Sequence, residues 1–433
     1  MNIPTSQPAL LPQLNLWEMP LAQESIEESI ETQIRPISAY SGSAPIKFYI
    51  PCARDEYLML NEMEIFVKMT ITVTWTGTGD LVINKQSFES AVIPTDNFFH
   101  SLFKKVNFKI NNKEVTDDST NYAYKVYFET LLGYTSEAKK STASTFPFGS
   151  KESRTGFLDQ YVSGNNYKSG TFTVSGPLHI DLAFQNKAMI GGSDLMLELV
   201  PNSHKFYFTL PGDKGLAVNW DDVSLYVTKH KVSKQIELAH AMAIQKAPVR
   251  YPFTRNQVRS VTVNKGLSSA VLDNLFIGVL PRRIFVTAVD ESAYNSEPKA
   301  DPLHFTNAGV SHIAAFIDGK QYPQTAFEPD FEKKDCTREY RGLLRALNEN
   351  GPNGKLSLSL KDWLEKYPIY GFNFAPDMSN GAGAGEAICK RKYGQLSINL
   401  RFAKPLDKAV VFLVFAEFDS LMEIDQFGEV SIQ

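Results

Sequence analysis

The residues best suited to chemistry in this chain of 433 residues are its histidines, its cysteines and one glycine-rich stretch. The histidines show neither the HExxH spacing nor any other spacing typical of a metal site. Isolated histidines usually lie on the surface or in satisfied core positions, so the sequence predicts no metal site and no catalytic histidine. The seven are His100, His179, His204, His230, His240, His304 and His312.

The cysteines and the nucleophile motifs point away from catalysis as well. Cys52, Cys336 and Cys389 lie too far apart for a CxxC pair, and an odd, sparse set forms no disulfide framework, so we expect a reducing compartment. The chain contains neither a GxSxG elbow nor a GxxxxGKS/T phosphate loop. We therefore predict that the protein is not an enzyme and carries no cofactor.

The glycine-rich stretch Gly381–Gly385 is the nearest approach to a nucleotide-binding loop. A dinucleotide motif needs a strand before it and a helix after it, whereas Pro376–Asn380 precedes this stretch and Lys390–Lys392 follows it. A plain loop is the better interpretation. The basic triplet and Arg282–Arg283 could contact phosphates, but in a chain of net charge -4 a solvated face or a subunit contact is favoured.

Composition restricts the class of protein further. The chain balances 44 Lys and Arg against 48 Asp and Glu, so it is not expected to wrap nucleic acid by charge or to bind it sequence-specifically. Its 43% of hydrophobic residues suffices for large cores, and the length suggests roughly two to three domains. The longest apolar run, Ala409–Ala416, is far shorter than the ~20 residues of a membrane helix. Met1–Pro12 is polar, so we expect a soluble protein without a signal peptide or a membrane span.

The elements that would position any site are mainly strands. In Ile65–Trp75 every second residue is apolar, which predicts a strand with one core face and one polar face. Similar runs separated by turns give about fifteen strands, and the scarcity of helical patterns disfavours a parallel sheet. The fold class is therefore all-β and mainly antiparallel. The further predicted strands are Val106–Ile110, Phe172–Val174, Ile180–Phe184, Leu195–Leu199, Val223–Val227, Val258–Val263, Phe276–Leu280, Ile284–Val289, Leu356–Leu360, Leu396–Phe402 and Val410–Phe415.

Two short helices reveal an internal repeat. Apolar residues at helical spacing predict one helix over Tyr124–Leu132, closed by Gly133, and another over Tyr340–Leu347. Each follows a strand and a tight two-residue turn, Asn111–Asn112 in the first case and Asp318–Gly319 in the second. The same order of features in both halves favours a duplicated domain.

A third pair of features, Pro201 and Pro405 at the ends of late strands, keeps that order. The three pairs lie 207, 216 and 204 residues apart, as in two copies with loops of differing length. About eight strands in each copy fit two tandem eight-stranded jelly-roll sandwiches with short helices in their loops. The predicted organisation is an N-terminal arm at 1–36, a first jelly roll at 37–232, a linker at 233–255 and a second jelly roll at 256–433.

A series of segments spans nearly the whole chain, from Ser25–Ser29 and Pro45–Pro51 to Leu400–Lys404 and Ala416–Asp419. In sequence and in order these segments resemble the major capsid proteins of Polinton (Maverick) elements and adintoviruses. A departure is Ile30–Glu31, where the family would have aromatic residues, and it puts the contacts of the arm in question. The segments are Ser25–Ser29, Arg35–Ile37, Pro45–Pro51, Asp55–Leu58, His100–Phe103, Tyr122–Tyr124, Glu129–Leu132, Arg282–Phe285, Ala293–Asn295, Leu400–Lys404 and Ala416–Asp419.

This resemblance implies a hexon-like double jelly-roll capsid protein without catalytic, cofactor-binding or metal-binding residues. It implies a homotrimer that forms a pseudo-hexagonal capsomer and contacts neighbouring capsomers and a penton protein. The shell would be icosahedral and enclose double-stranded DNA, so the protein would reside in the virion after assembly inside the host cell. The alternative is a carbohydrate-binding or carbohydrate-hydrolysing β-sandwich protein, because jelly rolls also carry such sites and a carboxylate pair is visible only in three dimensions.

Overall fold

The computed structural model describes residues 12–17, 19, 22–37, 44–75, 92–116, 119–142, 145–159, 169–209, 214–297, 300–349, 354, 356–378, 388 and 392–433. Gly381–Gly385, Cys389, Lys390 and Arg391 lie outside the described residues. Within the described ranges there are twenty strands and nine α-helices. None of these helices is both long enough and apolar enough to cross a membrane.

The first half of the chain forms two four-stranded antiparallel sheets and one short strand pair. The order of strands is β1-β10-β3-β7 in one sheet and β2-β8-β5-β6 in the other, and β4 pairs with β9. The strands are β1 (Ile26–Ile34), β2 (Ile46–Ile50), β3 (Glu56–Trp75), β4 (Ile93–Pro94), β5 (Phe103–Ile110), β6 (Lys113–Glu114), β7 (Ser169–Pro177), β8 (Leu195–Pro201), β9 (Phe208–Thr209) and β10 (Lys214–Val232).

The second half repeats this arrangement. Its sheets have the order β11-β19-β14-β17, with β20 added beside β19, and β12-β18-β15-β16, with β13 added beside β18. The strands are β11 (Val249–Val263), β12 (Ser269–Leu272), β13 (Ile277–Val279), β14 (Arg283–Asp290), β15 (Val310–Ile317), β16 (Lys320–Phe327), β17 (Tyr370–Asn373), β18 (Tyr393–Phe402), β19 (Val410–Ile424) and β20 (Val430–Ile432).

Each half is therefore a jelly roll of two facing sheets, which share a four-strand order, and each sheet of the second half carries one added strand. The predicted all-β, mainly antiparallel double jelly roll is confirmed. The helices lie in the connections between strands. They are α1 (Phe98–Ser101), α2 (Tyr122–Gly133), α3 (Ser136–Thr142), α4 (Lys151–Asp159), α5 (His204–Tyr207), α6 (Lys234–Ile244), α7 (Glu291–Tyr294), α8 (Thr337–Ala346) and α9 (Leu360–Glu365). A 3-10 helix occupies Asp181–Phe184.

The residue patterns explain the elements. Along β3 the apolar residues Ile65, Val67 and Met69 are buried between the sheets, while Lys68 faces outward and is exposed. The hairpin turns Asn111–Asn112 and Asp318–Gly319 have positive φ at both central positions, as the twist of a two-residue hairpin requires.

Two predicted strands are wrong. Ile180–Phe184 forms mainly the 3-10 helix, and Leu356–Leu360 is an irregular segment that leads into α9. Ile180, Leu182 and Ala183 of the first run and Leu358 of the second are buried, and short apolar runs do not distinguish a strand from a buried turn.

Two strands also begin outside the predicted jelly-roll ranges. Strand β1 lies inside the predicted arm 1–36, yet it pairs with β10 at the edge of the first sandwich. Strand β11 begins inside the predicted linker 233–255, and α6 occupies an earlier part of that linker. The sequence did not predict β1 because the strand lies at the sheet edge and is mostly exposed, so it lacks the alternation of buried and exposed residues. We infer that the sandwiches span 26–232 and 249–433.

Candidate functional site

The junction between the two sandwiches is built on helix α2. Its residues Tyr122 and Val126 pack in the core of the first sandwich. Residues on its other side, including Tyr127 and Phe128, pack in the core of the second sandwich. Because one helix contributes to both cores, the two sandwiches are joined by apolar packing as well as by chain connectivity.

Helix α2 covers the outer face of the second β11-β19-β14-β17 sheet. The Phe128 ring stacks on Phe415 of β19 at 5.2 Å between centroids, and Val258 of β11 is buried in the same layer. In register, Val258, Phe415 and Phe285 share this outward face. A jelly roll has a core only between its sheets, so burial of this outer face requires a neighbour, and here the neighbour is the first sandwich.

Charged and polar side chains at the edge of this junction form a buried network. Lys125 of α2 lies 2.5 Å from Asp181, and the Asp181 carboxylate accepts the backbone N–H of Asn256 in the second sandwich at 3.0 Å. The Asn256 side chain donates to Glu129 at 2.7 Å. His179 Nδ1 lies 2.6 Å from Glu129. Buried polar networks of this kind specify one docking geometry more than they add stability.

Burial sets the protonation of this network. It lowers the pKa of His179 to about 3, so the imidazole is neutral: Nδ1 donates to Glu129 and Nε2 accepts from the Tyr134 hydroxyl at 3.0 Å. Burial likewise raises the pKa of Asp181 to about 6, against the opposing effect of Lys125. His100, whose ring is 4.7 Å from that of His179, also has its pKa lowered well below the ordinary value by burial. These groups act as structural hydrogen-bonding partners.

For Arg282–Arg283 the sequence favoured a solvated face or a subunit contact, and the solvated face is wrong. Arg282 is buried and lies 3.1 Å from Glu417 and 3.7 Å from Asp419. Arg283 hydrogen-bonds to the same Glu417 carboxylate. Two guanidinium groups in the interior require such carboxylate partners to offset their desolvation, so these arginines serve the fold rather than a phosphate.

The remaining histidines and cysteines are dispersed. His230 contacts Ser29 at 2.8 Å, and His240 contacts Tyr57 at 2.9 Å. In the part of the chain that the structure describes, no group of three or more His, Cys, Asp or Glu side chains could hold a metal ion. Cys52 and Cys336 are free thiols, and burial raises the pKa of both.

A cleft of about 1370 Å³ opens between the sandwiches at one end of the junction. Its aromatic lining is engaged in internal packing: Tyr124 stacks on Tyr294 at 5.6 Å, and Trp220 meets Phe103 edge-on at 6.0 Å. A sugar-binding platform needs an aromatic face open to the ligand. The large exposed hydrophobic side chains among the described residues include none of these four.

The outer face of the first β1-β10-β3-β7 sheet is open, unlike its counterpart in the second sandwich. Glu64 and Lys68 of β3 are exposed there, and Thr171 of β7 is exposed beside them. The rings of Phe66 and Tyr226 meet edge-on at 4.8 Å and are half-buried. We call this surface the open face. Thus the structure contains one covered and one uncovered example of the same sheet surface.

Sequence analysis identified neither the junction network nor the open face. A signal for the junction was present in α2, whose apolar residues surround most of the helix instead of forming one stripe. A helix that is apolar all round is buried on all sides, and this property predicts a second packing partner.

No family model matches the chain. An uncharacterized protein of Caenorhabditis elegans is 27% identical over 425 residues, covering 94% of this chain and 97% of its own length. Among solved structures, a chain of the Sputnik virophage has a TM-score of 0.70 at 12% identity, over 99% of this chain and 93% of that chain.

Two major capsid proteins are also similar. The Faustovirus protein has a TM-score of 0.56 at 8% identity, over 94% of this chain and 92% of its own. The mavirus protein has a TM-score of 0.53 at 10% identity, over 100% of this chain and 97% of its own. The likeness extends across both sandwiches, so the chain has the double jelly-roll fold of viral major capsid proteins.

Proposed function

We propose that this protein is the major capsid protein of a Polinton- or adintovirus-type element. Three copies form a pseudo-hexagonal capsomer, and capsomers join one another and a penton protein in an icosahedral shell around double-stranded DNA. The role is structural rather than catalytic, and the protein resides in the virion. A relative of nearly full length among the proteins of an animal fits an element carried in a host genome.

One observation carries this proposal: both sandwiches have the same sheet order and are held in one fixed arrangement by α2. A chain with two similar sandwiches supplies six similar corners when three copies associate in a ring, so a single gene product can tile sixfold positions. A hexagonal building block made from three chains depends on this duplication.

Purification and imaging of the expressed protein test the proposal. The chain has a mass of 48.5 kDa, so sedimentation velocity should give a species of three times that mass. Negative-stain electron microscopy should then show pseudo-hexagonal capsomers or shells. A strictly monomeric protein at micromolar concentration contradicts the proposal. If that monomer binds sugars on a glycan array with micromolar affinity, the carbohydrate-binding alternative replaces it.

A further inference from the structure

The covered and uncovered sheet faces of this chain indicate where a second copy attaches. We propose that helix α8 of one copy docks on the open face of the first sandwich of the next copy. This inference rests on the proposed trimer and specifies the surfaces that close it. It follows from the internal repeat: in a ring of six sandwiches, three contacts lie within chains and three lie between chains.

The contact within the chain supplies the pattern. Helix α2, in the connection from β6 to β7 of the first sandwich, covers the outer face of the β11-β19-β14-β17 sheet. The matching face of the first sandwich, the open face, is not covered by any helix in the described part of the chain. The matching helix of the second sandwich is α8, in the connection from β16 to β17. If the contact between chains repeats the contact within the chain, α8 of one copy covers the open face of the neighbouring copy and the ring closes.

One side of α8 is already engaged with its own sheet. Leu343 and Ala346 are buried against β17, where the Gly371 backbone approaches so closely that an added Cβ would lie 2.7 Å from the Ala346 Cβ. The opposite side exposes Arg338, Arg341 and Arg345. Arg338 donates to the backbone carbonyl oxygens of Thr325 and Ala326, whereas Arg341 and Arg345 have no ion-pair partner among the described residues.

A groove runs beside these arginines. It has a volume of about 590 Å³ and combines aromatic walls with the basic rim, which suits a surface that presents both rings and carboxylates. Its described lining includes Tyr322, Phe327, Phe372, Met378, Arg341 and Arg345.

The open face has the complementary composition. Glu64 of β3 and Gln33 of β1 both pair across the sheet with Tyr226, and Glu31 lies two residues before Gln33 on β1. Tyr226 lies on β10, the strand between those two, and Phe66 lies two residues from Glu64 on β3, so the two half-buried rings supply an apolar centre beside the carboxylates. The charged residues on and beside this face include four carboxylates and two cations, and one of the cations, Arg35, pairs with Asp222, so the net charge of the face opposes that of α8. These charged residues are Glu31, Glu64, Asp221, Asp222, Arg35 and Lys68.

Charge reversal on each surface tests the pairing. The variants are Arg341→Glu with Arg345→Glu on α8, and Glu31→Lys with Glu64→Lys on the open face. Each double variant should raise the concentration at which the trimer half-dissociates by at least about tenfold at low salt, because like charges then face each other. The chain carrying all four substitutions should recover much of the loss, since opposite charges face each other again.

Matched controls reverse exposed charges elsewhere. Arg401→Glu on β18 and Glu137→Lys on α3 should leave the trimer unchanged. Circular dichroism melting identifies any variant that misfolds, and Arg341→Gln with Arg345→Gln then serves as the milder substitute, with a smaller expected loss.

The outcomes separate this inference from the proposed function. If the wild type forms trimers and both double variants form them with the same dissociation midpoint, the docking of α8 on the open face is overturned. Loss in both double variants without recovery in the fourfold variant also overturns it, because the two surfaces then have different partners. A wild-type chain that never trimerises overturns the proposed function itself.

Discussion

At the scale of single residues, His179 makes the stability of the junction depend on pH. Its pKa is lowered to about 3 by burial, against an ordinary value of 6.5. Between these two pH values the unfolded chain binds a proton at His179 and the folded chain does not. The contribution of the neutral His179 to the free energy of unfolding is therefore complete above pH 6.5 and is lost as the pH falls toward 3. The pKa of Asp181 is raised to about 6, and this residue acts in the opposite direction. Its contribution to the free energy of unfolding is lost as the pH rises from 3.8 through 6.

His179→Gln should flatten the loss of stability on acidification, because glutamine retains hydrogen-bonding capacity but does not titrate. Urea denaturation at a series of pH values between 7 and 4 measures the slope. Tyr134→Phe is the matched control, since it removes the hydroxyl that His179 accepts from. It should lower the free energy of unfolding by about 1 kcal/mol at every pH without altering the slope. Equal slopes in the wild type and His179→Gln contradict the assignment.

The junction could be predicted only in part from the sequence, because most of its contacts join residues that are far apart in the chain. Lys125 and Glu129 were visible as an i, i+4 pair on α2, but their partners Asp181 and Asn256 come from distant parts of the chain. A single sequence carries no information about such long-range pairing. For the same reason the sequence could not show that Glu417 pairs with Arg282 and Arg283.

At the scale of elements, local patterns predicted well wherever a single face is buried. The alternation of β3 and the spacing of α8 both reflect one buried face and one exposed face, so periodicity alone identified them. The prediction failed for Ile180–Phe184, which is buried by the junction, and for β1, which is held by pairing with β10. In both cases the tertiary contact, rather than local preference, determines the structure.

The packing of α8 on β17 gives a test at this scale. Gly371→Ala places a methyl group 2.7 Å from the Ala346 Cβ and 3.2 Å from the Leu343 Cα, so the helix must shift. We expect a loss of about 1–3 kcal/mol in the free energy of unfolding, measured by urea denaturation. Gly133→Ala is the control: no atom lies within 4 Å of its added Cβ, and helix propensity favours alanine by up to about 1 kcal/mol. Equal effects of the two substitutions would show that α8 is loosely packed.

At the scale of the whole molecule, α2 makes the duplicated sandwiches one cooperative unit. Two independent jelly rolls joined by a linker would change their relative orientation, and a ring built from them would not close reproducibly. Side-chain contacts between distant segments add to the helix: Tyr251 accepts the backbone N–H of Ile190 at 3.0 Å, and Asn111 donates to the Gly428 carbonyl at 2.7 Å. The rigid pair is therefore a consequence of α2 of the first sandwich covering the outer sheet face of the second.

Removing the central side chain of this contact should uncouple the two sandwiches. Phe128→Ala deletes a fully buried ring that stacks on Phe415, at an expected cost of about 3–5 kcal/mol in the free energy of unfolding. Differential scanning calorimetry should show one transition for the wild type and two for this variant, because the lost contacts lie between the sandwiches. Phe108→Ala removes an equally buried ring within the first core and should lower a single transition. If Phe128→Ala also keeps one transition, coupling resides in the remaining contacts and α2 is not the element that joins the halves.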